Sequence, residues 1–226
     1  MSRPCPRVLI LYYSLSAQTS GLVQRLAAGL EEEGCRVHLE RLQPLQPLKF
    51  PIGTVTATLA MMIITLLRGR VPILPLGPAC DQSYDLAIVA GPTWSYNPSG
   101  PVLSLLDRDG VRLFAGRRVL PLISCRGYWR MHWWGLRSRL ERCGAEVVNR
   151  MVFVHPCREP WRTIGVFLKL AGRVPERGRI MGRYYHRYGH SREQQEQAFS
   201  FGRQVGQALR QEHSLATLSL DSASPD

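Results

Sequence analysis

The first apolar run of the chain, residues 8–13, is unbroken and stops abruptly at Ser14. A strand covered on one face alternates apolar with polar; a continuous run is covered on both, as in a parallel sheet flanked by helices. Leu22, Val23, Leu26, Ala27 and Leu30 then recur at three- and four-residue spacing, with Gln24, Arg25 and Glu31 to Glu33 lying off that face. An amphipathic helix is predicted. The same kind of run returns at 84–90 and 119–123, and a last strand is expected over 146–154, while 35–42 is more polar and reads as an edge or second strand. Between and after these, helices are expected at about 102–107, 131–143 and 161–170. A final helix runs from 192 to about 211, capped by Ser191 with Gln194 at the capping-box position, and with Ala198, Phe201, Val205, Ala208 and Leu209 inward. Strands and helices in alternation predict an α/β fold: a doubly wound, five-stranded parallel sheet with helices on both faces.

Some segments do not fit that rhythm. Pro44, Pro47 and Pro51 exclude a regular element over 43–52. Residues 54–67 contain no charge at all and close on Arg68-Gly69-Arg70. At 14 residues this stretch falls short of the roughly 20 that span a bilayer. It reads as a core helix, as an interfacial helix, or as a cover over a greasy pocket. A single domain is therefore expected over 1–211, with an apolar helical insertion at about 43–80 and an extra segment at about 156–190. The serine-rich stretch 212–226 is expected to be a disordered tail.

Of 226 residues, 45% are hydrophobic, enough for a real core, and the formal net charge is +12. All the basic residues but Lys49 and Lys169 are arginine. A partner with negative charge is implied, whether a phosphorylated cofactor, an anionic lipid or nucleic acid; a genome rich in G and C accounts for the arginine bias equally well. The six cysteines show no Cys-x-x-Cys and no disulfide-like clustering, and no secretory pattern precedes the first strand. A reducing cytoplasm is the expected compartment, with peripheral contact at the inner membrane surface left open.

At the carboxyl end of the first strand, the first-turn N–H groups of the helix and the hydroxyls of Ser14, Ser16, Thr19 and Ser20 converge, a geometry that suits a phosphate monoester. The run Tyr13-Ser14-Leu15-Ser16-Ala17-Gln18-Thr19 resembles the first loop of flavodoxins and flavodoxin-like oxidoreductases, including the NAD(P)H-dependent FMN reductases, roughly Tyr/Phe-Ser-x-Ser/Thr-Gly-x-Thr. It departs from that loop at Ala17, where the family has glycine, the residue that takes positive φ freely. Gly91-Pro92-Thr93-Trp94-Ser95-Tyr96-Asn97, followed by Pro101-Val102, is similar to the family's flavin-ring loop, and Ser124-Cys125-Arg126-Gly127-Tyr128 matches its third loop by position. The resemblance covers about residues 7–155. It implies FMN as cofactor, its phosphate on Ser14, Ser16, Ala17, Gln18, Thr19 and Ser20. Its ring would lie by Pro92, Thr93, Trp94, Ser95, Tyr96 and Asn97, and its far edge by Ser124, Cys125, Arg126, Gly127 and Tyr128. NAD(P)H is the implied electron donor, and no acid or base is demanded of the protein. The layout also resembles flavodoxin-like proteins associated with dialkylresorcinol biosynthesis; a quinone- or resorcinol-like, apolar small molecule is the expected substrate.

Other chemistries find less support. There is no Gly-x-Ser-x-Gly elbow for acyl transfer and no Walker loop. His186 and His190 stand four apart, but Gly189 and the surrounding arginines argue for a loop, so no metal is expected. Cys125 beside Arg126 reads either as a reactive thiolate or, more commonly, as a buried structural cysteine. The Arg-Tyr-Tyr-His-Arg-Tyr stretch at 183–188 interleaves cations with aromatic faces, as single-stranded nucleic acid requires. No RNP-like or helix-turn-helix signature accompanies it, and a loop covering the crevice explains it as well. The competing reading is a flavin-free binding protein that meets nucleic acid or anionic membrane through its arginines. A homodimer stays open.

Overall fold

A computed structural model describes residues 5–185 and 188–221. The strands are β1 (Arg7–Tyr12), β2 (Arg36–Arg41), β3 (Leu86–Trp94), β4 (Asn97–Pro98), β5 (Arg118–Cys125), β6 (Glu146–Val147) and β7 (Met151–Val154). The sheet runs β2-β1-β3-β5-β6, with β7 also on β5, and every pairing is parallel except the short β3–β4 hairpin. This is the doubly wound order expected from the sequence. The single strand expected at 146–154 is divided between β6 and β7. Asn149 sits in the break, and its side-chain amide donates to the carbonyls of Leu215 and Leu218.

Alternate residues of each central strand face opposite layers, which is why continuous apolar runs were needed. Val8 and Ile10 join one core with Leu22, Leu26 and Phe201; Leu9 and Leu11 join the other with Val102, Leu106 and Leu136. The first core lies under α1 (Gln18–Glu32) and α6 (Arg192–Gln211), the second under α3 (Gly100–Phe114) and α4 (Trp129–Arg142). Helix α3 runs seven residues past its expected end, because Asp109, Gly110, Leu113 and Phe114 continue its buried face. Helices α1 and α6 approach closely through glycine: a Cβ on Gly202 would stand 2.2 Å from the Leu26 carbonyl. The capping box of Ser191 and Gln194 forms as read from the sequence.

Residues 212–221 do not form the free tail expected. Leu215 and Leu220 are buried, and Asp221 bridges to Val152 beside β7, so the apolar side chains of the segment hold it on the sheet edge. The remainder, 222–226, lies outside the described residues.

The insertion is closed at its base by the backbone bonds Leu45 N–H to Pro72 O and Leu74 N–H to Gln43 O. It carries α2 (Val55–Leu66), capped by the Thr54 hydroxyl, and α2 is no core helix. Its buried residues are Thr58 and Thr65, while Val55, Leu59, Ile63, Ile64 and Leu66 are exposed. Helix α5 (Trp161–Leu170) matches its expected span and meets the insertion where Ile52 and Gly53 donate to the Leu170 carbonyl. No helix among the described residues is long and apolar enough to cross a membrane.

Candidate functional site

The carboxyl ends of β1, β3 and β5 bring the three sequence-predicted loops to one cleft. It is lined by Ser14, Ser16, Gln18 and Thr19 from the first, Pro92 to Ser95 from the second, and Ser124 to Arg126 from the third. Helix α1 begins at Gln18, and its N-cap is Ala17 at φ 62°, with no side chain capping the first turn. Alanine thus adopts the left-handed conformation that glycine takes more cheaply. The hydroxyl of Ser20 donates back to the Ala17 carbonyl and does not face the cleft. Ser16 Oγ accepts a bond from the Tyr188 hydroxyl at 3.1 Å, which leaves the Ser16 proton free to donate. Ser14 Oγ is buried without a partner at the wall of the same cleft. An uncapped helix start beside an orphaned buried hydroxyl is a donor set lacking its acceptor.

In the second loop, Ser95 and Tyr96 turn the β3–β4 hairpin with φ of 42° and 69°, positive at both central positions as in a type I′ turn. Neither is glycine, so the strain must be held by neighbours. Asn97 does this. Buried, it donates through Nδ2 to the carbonyls of Thr65, Leu66 and Ser95, all at 3.1 Å, and accepts from Arg68 Nε at 3.0 Å. The resemblance placed Asn97 beside a ring, but its side chain is spent on the last carbonyls of α2. Ser95 Oγ adds bonds to Thr65 Oγ1 at 2.7 Å and Met62 O at 3.0 Å. We expect Asn97→Ala to cost about 3 kcal/mol in urea unfolding, because it strands four hydrogen-bond partners at once, the Thr65 carbonyl among them buried. Cleavage by protease should then appear first within the insertion. Trp94 packs edge-on against Tyr13, with ring centroids 5.6 Å apart, and presents its remaining surface to the cleft.

The third loop contains an unexpected hydrogen-bond chain. Gln194 Oε1 accepts from the Ser191 amide at 3.1 Å, and its Nε2 donates to the Val154 carbonyl at 2.5 Å. These two partners fix which end of the amide is which. Oε1 lies 3.1 Å from His190 Nδ1 and can only accept, so Nδ1 carries the proton and Nε2 a lone pair. Ser124 Oγ, 2.7 Å from Nε2, must therefore donate to it. Burial lowers the His190 pKa to about 4, which keeps this arrangement neutral. Toward the cleft, Ser124 is left as an acceptor only. His155, also on the cleft wall and stacked on Tyr185, is pulled down to about 4 by burial and by the neighbouring His190 and Arg162. Thr93 Oγ1 meets the buried His132 Nδ1 at 2.7 Å, and desolvation lowers His132 to about 3. Cys125 is no reactive thiolate: burial raises its pKa to about 12, outweighing the Gly127 amide, Arg162 and Arg126.

The cleft encloses about 100 Å³ and is roofed by Met61, Met62 and Thr65 of α2, Phe167 and Leu170 of α5, and Tyr188. Past Met62, Ser95, Arg126 and Phe167 it opens into a larger apolar groove of about 620 Å³ between α2 and α5. Tyr96 and Tyr128, expected beside the cleft, floor this groove instead, with ring centroids 5.4 Å apart. Gly127 lies in the turn between and faces Arg162. The roof was legible only in part. The uncharged run at 54–67 and the tyrosine-rich stretch announced a cover, but nothing in the spacing singled out His155 or Phe167 as cleft residues, or His190 as the partner behind Ser124. His186 lies outside the described residues. His190 spends both ring nitrogens on Ser124 and Gln194. The described residues do bring His38, Glu40 and Cys80 together away from the cleft, with ligand atoms within 4.8 Å of one another. Burial raises the Cys80 thiol to about 12, so it stays protonated there.

No family model matches the sequence, and no curated protein matches it either. Solved structures do. A flavoprotein in complex with FMN from Lactobacillus acidophilus NCFM is 18% identical, with a TM-score of 0.51 over 66% of this chain and 93% of that one. The flavodoxin, WrbA-like protein of Agrobacterium tumefaciens is 14% identical, with a TM-score of 0.50 over 91% and 98%. Rubredoxin oxygen:oxidoreductase from Desulfovibrio gigas is 14% identical, with a TM-score of 0.52 over 92% of this chain but 37% of that one. The fold is thus flavodoxin-like, as the loops suggested.

Proposed function

We propose that this flavodoxin-like protein binds FMN in the cleft and uses it as an oxidoreductase, passing electrons from NAD(P)H to an apolar, quinone- or resorcinol-like small molecule. One observation carries the reading: the uncapped start of α1, with the orphaned Ser14 hydroxyl beside it, at the carboxyl end of β1. Free amides at a helix N-terminus attract a phosphate through hydrogen bonding and the helix dipole together. The resemblance of the three loops and the FMN held by the Lactobacillus flavoprotein support the same cofactor. Ser14, Ser16, Gln18 and Thr19 would hold the phosphate, and Thr93 to Ser95, Ser124 and Arg126 would border the ring. FMN supplies the hydride and electron transfer.

The chain's own residues bind and orient. Ser124, its proton committed to His190, offers the cleft an acceptor and so selects a donor edge. Trp94 supplies a flat apolar wall, and the unbranched side chains of Met61 and Met62 can move aside to admit a ring that 100 Å³ does not hold. The groove beyond, walled by Leu59, Ile63, Ile164 and Phe167, would receive the apolar substrate. The visible spectrum under nitrogen tests this. Bands near ~370 and ~450 nm on adding FMN, bleached by NADPH, are expected of a flavin reductase. A protein that neither retains nor quenches FMN would overturn the reading and favour a flavin-free binding protein.

A further inference from the structure

Helix α2 is built inside out. The stripe it turns inward is Thr58, Met61, Met62 and Thr65, at helical spacing, with both threonines buried; Val55, Leu59, Ile63, Ile64, Leu66 and Leu67 are each about half exposed or more. Thr58 donates to the Thr54 carbonyl and Thr65 bonds Ser95, so the polar groups are consumed within the protein and the outer face is left apolar. Isolated apolar side chains on a surface are ordinary, but a continuous outer face of one helix marks an interaction site. Ile164 of α5, Tyr96 and Tyr128 extend it across the groove.

Charge identifies the occupant. The helix itself carries none, and arginines stand at both of its ends. Arg68 follows its last turn, with Arg70 beyond it already paired to Asp107, and Arg173 follows Gly172, whose Cβ position is 3.4 Å from Gly53 just before its first turn. An apolar helix face between cations, on a chain of net charge +12, is complementary to an anionic lipid surface, where acyl chains take the face and headgroups take the arginines. We propose that α2 docks the protein onto an anionic bilayer, lying in the interface rather than spanning it. The inference goes beyond the flavin reading and stands without it. If both hold, the groove opens where a lipophilic molecule would arrive.

Flotation of the full chain with vesicles tests it. Phosphatidylcholine–phosphatidylglycerol vesicles should carry the protein and pure phosphatidylcholine should not, and binding should fall as salt rises. Ile64→Glu with Leu67→Glu, both exposed and outside the cleft and groove linings, should lower partitioning at least ~100-fold with far-UV circular dichroism and thermal midpoint unchanged. Absence of flotation with anionic vesicles overturns the proposal, as does binding that the double variant does not weaken. A concentration-dependent dimer in light scattering, broken by the double variant and accompanied by no flotation, also overturns it and assigns the face to a second copy. None of these readouts involves flavin, so failure here and failure of the spectral test are distinguishable.

Discussion

Ser16→Asp is expected to weaken FMN binding about 100-fold while leaving the apoprotein at least as stable as before. The two effects come from the same place. The first-turn amides of α1 have no capping side chain, and a carboxylate added there gains from the helix dipole, by about 0.3–1 kcal/mol. That carboxylate then occupies the ground an incoming phosphate needs. A phosphate monoester carries close to two negative charges, and at about 5 Å with an effective dielectric near 20 each pair of unit charges repels by roughly 3 kcal/mol. After solvent screening and side-chain adjustment, a net loss of about 3 kcal/mol, or about 100-fold, is the reasonable scale. Riboflavin, which lacks the phosphate, should change less than about threefold, since one rim hydroxyl is all it loses. Titrating each flavin against the protein by fluorescence quenching, with a thermal melt alongside, separates the cases. A folding defect would weaken both flavins and lower the melting midpoint. Unchanged FMN affinity would mean that the phosphate does not sit at the start of α1.

That local period set by covalent geometry is what the sequence displays, and it accounts for how much could be read from it. Residues 8–13, 86–90 and 119–123 are apolar throughout because both faces of β1, β3 and β5 are covered, and the resulting topology brings three loops to one cleft with no further information. Ser191 and Gln194 were legible for the same reason, being three residues apart in one turn. What the sequence hid depends on separations that no period encodes. Ser124 and His190 are 66 residues apart, and their bond is oriented by a capping glutamine whose local role concealed its longer one. Asn97 looked like a ring-loop residue because its neighbours match a ring loop; only the position of α2 shows that its amide holds an insertion in place. The break between β6 and β7 and the packed segment to Asp221 follow from one another, since Asn149 leaves the sheet to hold Leu215 and Leu218. In α2 the pattern misled for a physical reason. An uncharged helix normally goes into the core, and this one turns its threonines inward.

Acid is expected to destabilise the folded protein steeply, by on the order of 5 kcal/mol between neutrality and about pH 5, because three histidines are buried in neutral form. His132, His155 and His190 have pKa values lowered to about 3, about 4 and about 4, with desolvation the largest cause in each. An unfolded histidine titrates near 6.5. Between the two values the unfolded chain takes up protons that the folded chain refuses, so stability is fully present above about pH 6.5 and falls as pH drops toward about 4. Each histidine contributes up to about 1.4 kcal/mol per pH unit there, and three together exhaust a typical domain stability within about two units. Depressed carboxylates such as Glu159 act in a lower window, below the ordinary carboxylate pKa, and do not confuse the measurement. Urea midpoints at pH 7.5 and pH 5 should differ accordingly, and His132→Phe should reduce the difference by about a third, since among the described residues that ring bonds only Thr93. Equal midpoints at the two values would mean that these rings titrate freely. The neutral ring also sets the site: a protonated His190 would have no lone pair for Ser124, so the acceptor that the cleft presents exists only while His190 is neutral.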